Sequence, residues 1–221
     1  MIEIIRFYNA VNDRAVTGTS GYDSSFLEKV NEVQTQAINT FAPLYEDNQA
    51  IKDALGVFVK PKITTTVTGT GLLAKEEDYV HFLAVLSAEG KTAFPINVNE
   101  ISIIETSPIR NPDVSKGKIF YYQKADGIYF LPKTPIEVEY LYLRRPVDAK
   151  IVLNPVNDAN RDYLVPSEET DDIVNLEWPE SMFNLLMYMF LEKLGMEMKE
   201  PILIEYANLG ITKEMINTDP Q

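Results

Sequence analysis

Cysteine is absent from this 221-residue chain, and histidine occurs once, at His81. The first absence excludes disulfides, zinc–thiolate sites, iron–sulfur clusters and thiol nucleophiles together. The second leaves any Ser-His-Asp triad or histidine-based metal site to be built on that one residue or not at all. Long apolar runs are missing too. The longest, MFNLLMYMFL at 182–191, contains Asn184 and is followed by Glu192 and Lys193, well short of the ~20 residues that span a bilayer. No membrane partner is expected. Residues 1–20 lack the basic start, apolar run and small-residue cleavage site of a secretory signal, so synthesis and retention in the cytoplasm are expected.

Positive charge is scarce: 20 Lys and Arg stand against 33 Asp and Glu, a net −13. The deficit is uneven, with 4 basic against 8 acidic residues in 1–58, 12 against 11 in 59–155 and 4 against 14 in 156–221. Such a balance argues against tight binding to a nucleic-acid backbone, because each phosphate contact needs a cation to displace counterions. DNA passing nearby without adhering is compatible with it. What the chain does have is apolar residues, 45% of the total, enough at this length to bury roughly 70% of the unfolded surface without metal or disulfide.

The periodicity of those residues divides the chain. In IEIIRFYNAVNDRAV, residues Ile4, Tyr8, Val11 and Ala15 share one helical stripe, and a glycine-bearing break follows. SSFLEKVNEVQTQAINTF opens with Ser25 three residues before Glu28, a capping-box pattern, and repeats Phe26, Val30, Val33, Ala37 and Phe41 on one face. DNQAIKDAL predicts a shorter helix closing at Gly56 in a left-handed cap. Residues 61–146 switch to a two-residue period rich in β-branched and aromatic side chains. Ala125-Asp126-Gly127 reads as a hairpin turn. In the strand after it, Ile136, Val138, Tyr140, Tyr142 and Arg144 point one way, and Glu137, Glu139, Leu141, Leu143 and Arg145 the other. INVNEISIIETS, between strands, is a short helix. Trp178-Pro179-Glu180 opens a C-terminal helix with Gly195 as its stop, and Pro201 begins another that ends at Gly210. The expected fold is α+β: a helical bundle from the N- and C-terminal segments with a small antiparallel β-domain inserted. Its parts are N-terminal helices at 1–58, the β-domain at 59–155, and an acidic loop with C-terminal helices at 156–221.

Signals for chemistry are weak. TGTSG at 17–21 and TGTG at 68–71 lack the Lys-Ser/Thr ending of a phosphate loop and read as turns. His81, on a strand face with Tyr79 and Leu83, reads as a structural histidine. The cluster Glu168, Glu169, Asp171 and Asp172 could hold calcium or supply paired carboxylates, but it lacks the EF-hand spacing and reads as a solvated loop. No catalytic, cofactor-binding or metal-ligating residue is expected, and no cofactor. The tyrosines at 121, 122, 129, 140 and 142 suit either a sugar-stacking platform, and so a carbohydrate- or receptor-binding module, or sheet packing and subunit contact. In SMFNLLMYMFLEKL two apolar stripes, Met182, Leu185, Leu186, Met189 and Phe183, Met187, Phe190, Leu194, nearly encircle the helix. It is either the centre of its own bundle or covered in part by a neighbouring subunit.

Two stretches, FYNAVNDRAVTGTSGYDSSFLEKVNEVQTQAINTF and SPIRNPDVSKGKIFYYQKADGIYFLPKTPIEVEYLYLRRP, resemble head-to-tail connector or neck ring proteins of tailed bacteriophages, most of all those of crAss-like phages. The shared features are Asn12-Asp13, Gly21, Phe26, Val33 and Gln36 in the first, and a strand pair ending in Tyr142 to Pro146 in the second. LEWPESMFNLLMYMFLEKLG is a third, looser match. The resemblance implies a non-enzymatic virion protein of the neck or tail, a ring of twelve copies between portal protein and tail. Its partners would be its own copies, the portal protein, adjacent ring or tail proteins, and genomic DNA passing through the channel without sequence-specific binding. On this reading the near-neutral β-domain is the contact module, with Tyr140, Tyr142, Arg144 and Arg145 as candidate interface residues. Arg144 and Arg145 would pair with carboxylates of an adjacent subunit or ring protein, since a guanidinium bonds a carboxylate through two parallel hydrogen bonds.

Overall fold

The computed structural model describes residues 1–14, 25–67, 69–158, 161–166, 173–198 and 201–218. Three helices come first: α1 (Ile4–Arg14), α2 (Ser25–Phe41) and α3 (Gln49–Leu55). Strands β1 (Val59–Thr66), β2 (Leu72–Ala74), β3 (Tyr79–Ala88) and β4 (Ala93–Pro95) follow, then the short helix α4 (Ile101–Thr106). Next are β5 (Ile119–Lys124), β6 (Gly127–Leu131) and β7 (Glu137–Arg144). A hairpin, β8 (Leu153–Asp158) with β9 (Arg161–Pro166), and the helices α5 (Phe183–Met198) and α6 (Pro201–Thr218) come last. The fold is α+β: α1 and α2 pack on α5, and α5 on α6, with the sheets inserted between these helices in the sequence.

Two compact units result, Met1–Phe58 with Arg145–Gln221, and Val59–Arg144. The stretch 145–155, counted with the β-domain by composition, belongs to the helical unit. The Asn31 carboxamide of α2 bonds both the amide and the carbonyl of Ala149, at 2.9 and 3.5 Å. Lys150 forms a bridge to Val174, and the amide of Val147 donates to Glu177 at 2.8 Å. These ties are long-range hydrogen bonds that no local pattern announces.

In the helical unit, α5 is the centre. Leu186, Met187, Phe190 and Leu191 are fully buried, and Phe183, Leu185, Met189 and Leu194 nearly so, so both apolar stripes are covered within this unit. Phe190 meets Phe7 of α1 edge-on at 6.0 Å and Phe26 of α2 at 5.2 Å. Each such side chain contributes about 1.5–3 kcal/mol by leaving water. Gly195 and Gly210, expected to stop helices, lie inside them, because α5 runs on to Met198 and α6 to Thr218. A Cβ on Gly210 would sit 2.5 Å from the Tyr188 ring, and one on Gly195 would sit 2.9 Å from an Ile204 side-chain carbon. Both glycines are points of close approach between α5 and α6. Gly56 also departs from expectation: its φ of −55° is right-handed, and the chain continues through a 3-10 turn at Gly56–Phe58. That turn brings Phe58 onto Trp178, with ring centroids 4.8 Å apart.

The β-unit contains a three-stranded sheet, ordered β1-β7-β3, and a four-stranded one, β2-β6-β5-β4. Every pair is antiparallel except β4 with β5, which is parallel. The connection between those two strands passes through α4, long enough for the crossover that parallel pairing requires. Residues of both sheets form one core, among them Phe82, Val138, Tyr140 and Tyr142 from the first and Leu73, Ile128 and Phe130 from the second. A hairpin turn stands where Ala125-Asp126-Gly127 predicts one, but Lys124 pairs with Gly127, so the loop is Ala125-Asp126 alone and Gly127 opens β6. At Gly71 φ is +78°, and a Cβ would lie 2.5 Å from the Phe130 carbonyl; glycine is required there by the turn. Thr68, TGTSG and the cluster at 168–172 lie outside the described residues. No described helix is long and apolar enough to cross a membrane.

Candidate functional site

Strand β7 lies between β1 and β3, so its alternation has two consequences. Glu137 and Glu139 reach solvent, whereas Val138, Tyr140 and Tyr142 are packed inward. The rings of Tyr140 and Tyr142, at 1% and 0% exposure, are therefore used up within this chain's own core. They offer no face to another subunit or a sugar. Tyr122 is buried as well, and Tyr121 and Tyr129 are half-buried, which leaves little platform for a stacked sugar ring.

The hydroxyl end of Tyr142 is an electrostatic tie. It donates to Asp78 at 2.9 Å, and the Lys60 ammonium reaches the other oxygen of Asp78 at 3.0 Å. Burial alone pushes the Asp78 carboxyl up, but the hydrogen bonds from Lys60 and Tyr142 outweigh it and hold the group below the usual carboxylate range. Burial, then the hydrogen bond to Asp78, raises Tyr142. Tyr140 is pushed up to about 12 by burial and by the nearby Glu76 carboxylate. Among the described residues its hydroxyl has no hydrogen-bond partner. This arrangement fixes charges in place. It contains no nucleophile beside a base poised near neutrality. His81 is half-buried on β3 opposite Leu143, and no three His, Asp or Glu among the described residues converge as a metal site would require.

The arginine pair is divided by the fold. Arg144 is the last residue of the β-unit, half-buried and paired with Tyr79, whereas Arg145 is the first residue of the returning helical segment and exposed. The two expected interface arginines therefore sit in different surroundings. Arg145 lines an open groove of about 790 Å³ along α2 with Glu28, Asn31, Glu32, Asp148 and Lys193. Lys193 is ion-paired with Glu32 across it. The lining is polar and mixed in sign.

Sequence reasoning found the uneven charge and the near-neutral β-region, and missed the apolar surface left exposed. The helical unit holds ten basic and twenty-three acidic residues, a net −13, and the β-unit ten of each, a net of zero. On the β-unit, Phe94, Val98, Ile103 and Ile109 are exposed, the last two at 62% and 77%. On α6, Tyr206, Leu209 and Met215 are exposed, Leu209 at 67%. ISIIET carried a signal for the first of these patches: isoleucines at 101, 103 and 104 cannot all face one core from a single helical turn. The chain matches no protein-family model and no curated protein.

Proposed function

We propose that this chain is a structural, non-enzymatic virion protein: a ring subunit of the head-to-tail connector in the neck or tail of a tailed bacteriophage. It joins the portal protein to the tail and forms part of the DNA channel. The resemblance of its N-terminal helices and its Tyr142–Pro146 strand end to such proteins motivates the reading. The observation that carries it is the separation of a helical unit with a net charge of −13 from a neutral β-unit with exposed apolar residues. Unequal surfaces on one chain favour heterologous contacts, and these close into rings when the rotation between copies divides the circle. An acidic wall also lets DNA slide past without adhesion. Arg144 and Arg145, one on each unit, pair with carboxylates of adjacent subunits.

Two measurements test this. Mass spectrometry of purified particles should find the polypeptide in the neck or tail, and the mass of the purified or portal-docked chain should be a closed multiple, twelve copies on this reading. A particle preparation lacking the chain would sink the proposal. Replacing Arg144 and Arg145 together by Ala should weaken ring assembly at moderate salt. Unchanged assembly would remove the arginines from the interface while leaving the ring intact.

A further inference from the structure

We infer that Asp126 is a site of isoaspartate formation in this chain, and that the hydroxyl of Tyr129 retards the reaction in the folded state. Asp126-Gly127 is the one Asp-Gly pair in the sequence, and Asn-Gly does not occur. A side-chain carboxyl is attacked most readily by the following amide nitrogen when that nitrogen belongs to glycine, whose missing Cβ leaves the approach open. In the attack the Gly127 nitrogen bonds to Cγ of Asp126, the carboxyl C–OH bond breaks, and the hydroxyl leaves as water with the amide proton. The cyclic imide then takes up water. Addition at the side-chain carbonyl restores aspartate, whereas addition at the main-chain carbonyl breaks that carbon's bond to nitrogen and leaves the chain running through the side chain. Mass is unchanged overall, but a methylene has entered the backbone of the loop that joins β5 to β6.

Packing fixes glycine at 127. A Cβ there would lie 2.5 Å from the Leu73 carbonyl oxygen and 2.6 Å from Leu72 Cδ1, so β2 approaches too closely for any other residue. Asp126 itself is exposed, and water reaches its carboxyl. The folded hairpin holds this pair away from cyclisation. Tyr129 Oη donates to Asp126 Oδ2 at 2.5 Å, and the Tyr129 ring is itself fixed, stacked on Tyr122 at 5.3 Å with the Lys124 ammonium 4.8 Å from its centre. The Lys75 ammonium donates to the Ala125 carbonyl at 2.8 Å, and Lys124 pairs with Gly127 across the turn. For the ring to close, the carboxyl must swing onto the Gly127 nitrogen, which breaks the Tyr129 bond. It must also be protonated, because hydroxide leaves a carboxylic acid far more readily than oxide leaves a carboxylate. The hydrogen bond from Tyr129, first of all, holds the Asp126 carboxyl below the usual carboxylate range and so in its unreactive ionised form. Tether and charge act in the same direction.

The test incubates the full-length chain at neutral pH, folded and in urea, and follows isoaspartate at position 126 by peptide separation with electron-transfer fragmentation, which distinguishes isomers of equal mass. The native chain should accumulate the product in urea and do so severalfold more slowly when folded. Tyr129→Phe keeps the ring and loses the hydroxyl, so it should quicken the reaction severalfold in the folded chain and leave the rate in urea unchanged. Tyr122→Phe alters the partner ring and spares the bond to Asp126, and should not quicken it. Asp126→Glu should abolish the product at that position, because the longer side chain would have to close a larger, disfavoured ring. Equal folded rates for the native chain and Tyr129→Phe would overturn the role of the hydroxyl. Equal acceleration by Tyr122→Phe would overturn it too, tracing the effect to a loosened sheet. A chain that forms no isoaspartate at 126 even in urea would overturn the site itself.

Discussion

Substituting Gly210 by Ala separates two accounts of the same residue. As a helix interior position, Gly→Ala should stabilise by about 1 kcal/mol, because glycine loses more backbone freedom on folding. The structure opposes this. The new methyl would lie 2.5–2.6 Å from three carbons of the Tyr188 ring, which packs edge-on against Tyr206 at 5.8 Å. Overpacking of that kind costs about 1–3 kcal/mol, so the expected net effect is a loss of about 1 kcal/mol, or roughly 2–4 °C in Tm for a chain of this size. Trp178 is the only tryptophan, is fully buried, and lies in the same unit as α5 and α6. Its emission therefore reports unfolding of that unit in urea, the β-unit holding no tryptophan. The control is Gly210→Ala in a Tyr188→Ala background, where the ring is gone and the substitution should stabilise by about 1 kcal/mol, a coupling of about 2 kcal/mol. Stabilisation in the native background would show that α6 does not approach α5 as described.

Other outcomes follow from single contacts. Asn31→Ala should lower the stability of the helical unit by about 1–2 kcal/mol in the same assay, since Asn31 Oδ1 accepts from both the Ala149 amide and the Gln34 carboxamide. Asp78→Asn should destabilise the β-unit near neutral pH by about 1 kcal/mol, allowing for the solvent screening of a half-exposed pair. Because the folded carboxyl is held low, its contribution is present above the unfolded pKa of about 3.9 and lost as pH falls through the lower folded value. The gap between variant and native stability, followed by circular dichroism, should therefore close below about pH 4. Asp113, held to about 2 by hydrogen bonds from Ser115 and Lys116, should behave likewise, with Asp113→Asn converging on the native chain as pH falls towards that value. A gap that widened on acidification would contradict both assignments.

How much of this was legible beforehand depends on the range of the interaction involved. The alternation of Ile136, Val138, Tyr140 and Tyr142 against Glu137 and Glu139 is a property of one strand, and it gave the buried face of β7 correctly. The Ala125-Asp126-Gly127 turn and the near-encircling apolar pattern of α5 were likewise local, as was the helix within INVNEISIIETS. Gly195 and Gly210 were misread because a glycine signals either a stop or a close approach, and only the partner helix decides between them. The boundary at Arg144 was shifted for the same reason: Asn31 and Glu177 bind the returning chain from far away in sequence. Among the site residues, direction was read well and consequence less so. Inward-facing Tyr140 and Tyr142 were offered as interface residues although the same pattern buries them. Ile103 and Ile109 went unremarked, because periodicity tells which residues share a face and not whether anything covers it.

The partition of charge bears on how this chain meets its own copies. Placing the entire −13 on the helical unit makes every encounter between two helical units repulsive over roughly the 8 Å Debye length of physiological salt, and so disfavours random aggregation through the exposed apolar side chains of α6. The β-unit, uncharged overall, gains nothing and loses little by approaching another β-unit. A neutral unit that meets an acidic one is neither drawn nor repelled by net charge at long range, so apolar contact alone determines how long such an encounter lasts. Salt should therefore ease the approach of two helical units while leaving contacts made through exposed Phe, Ile and Val of the neutral unit nearly unchanged, because burial of apolar side chains does not depend on ionic screening.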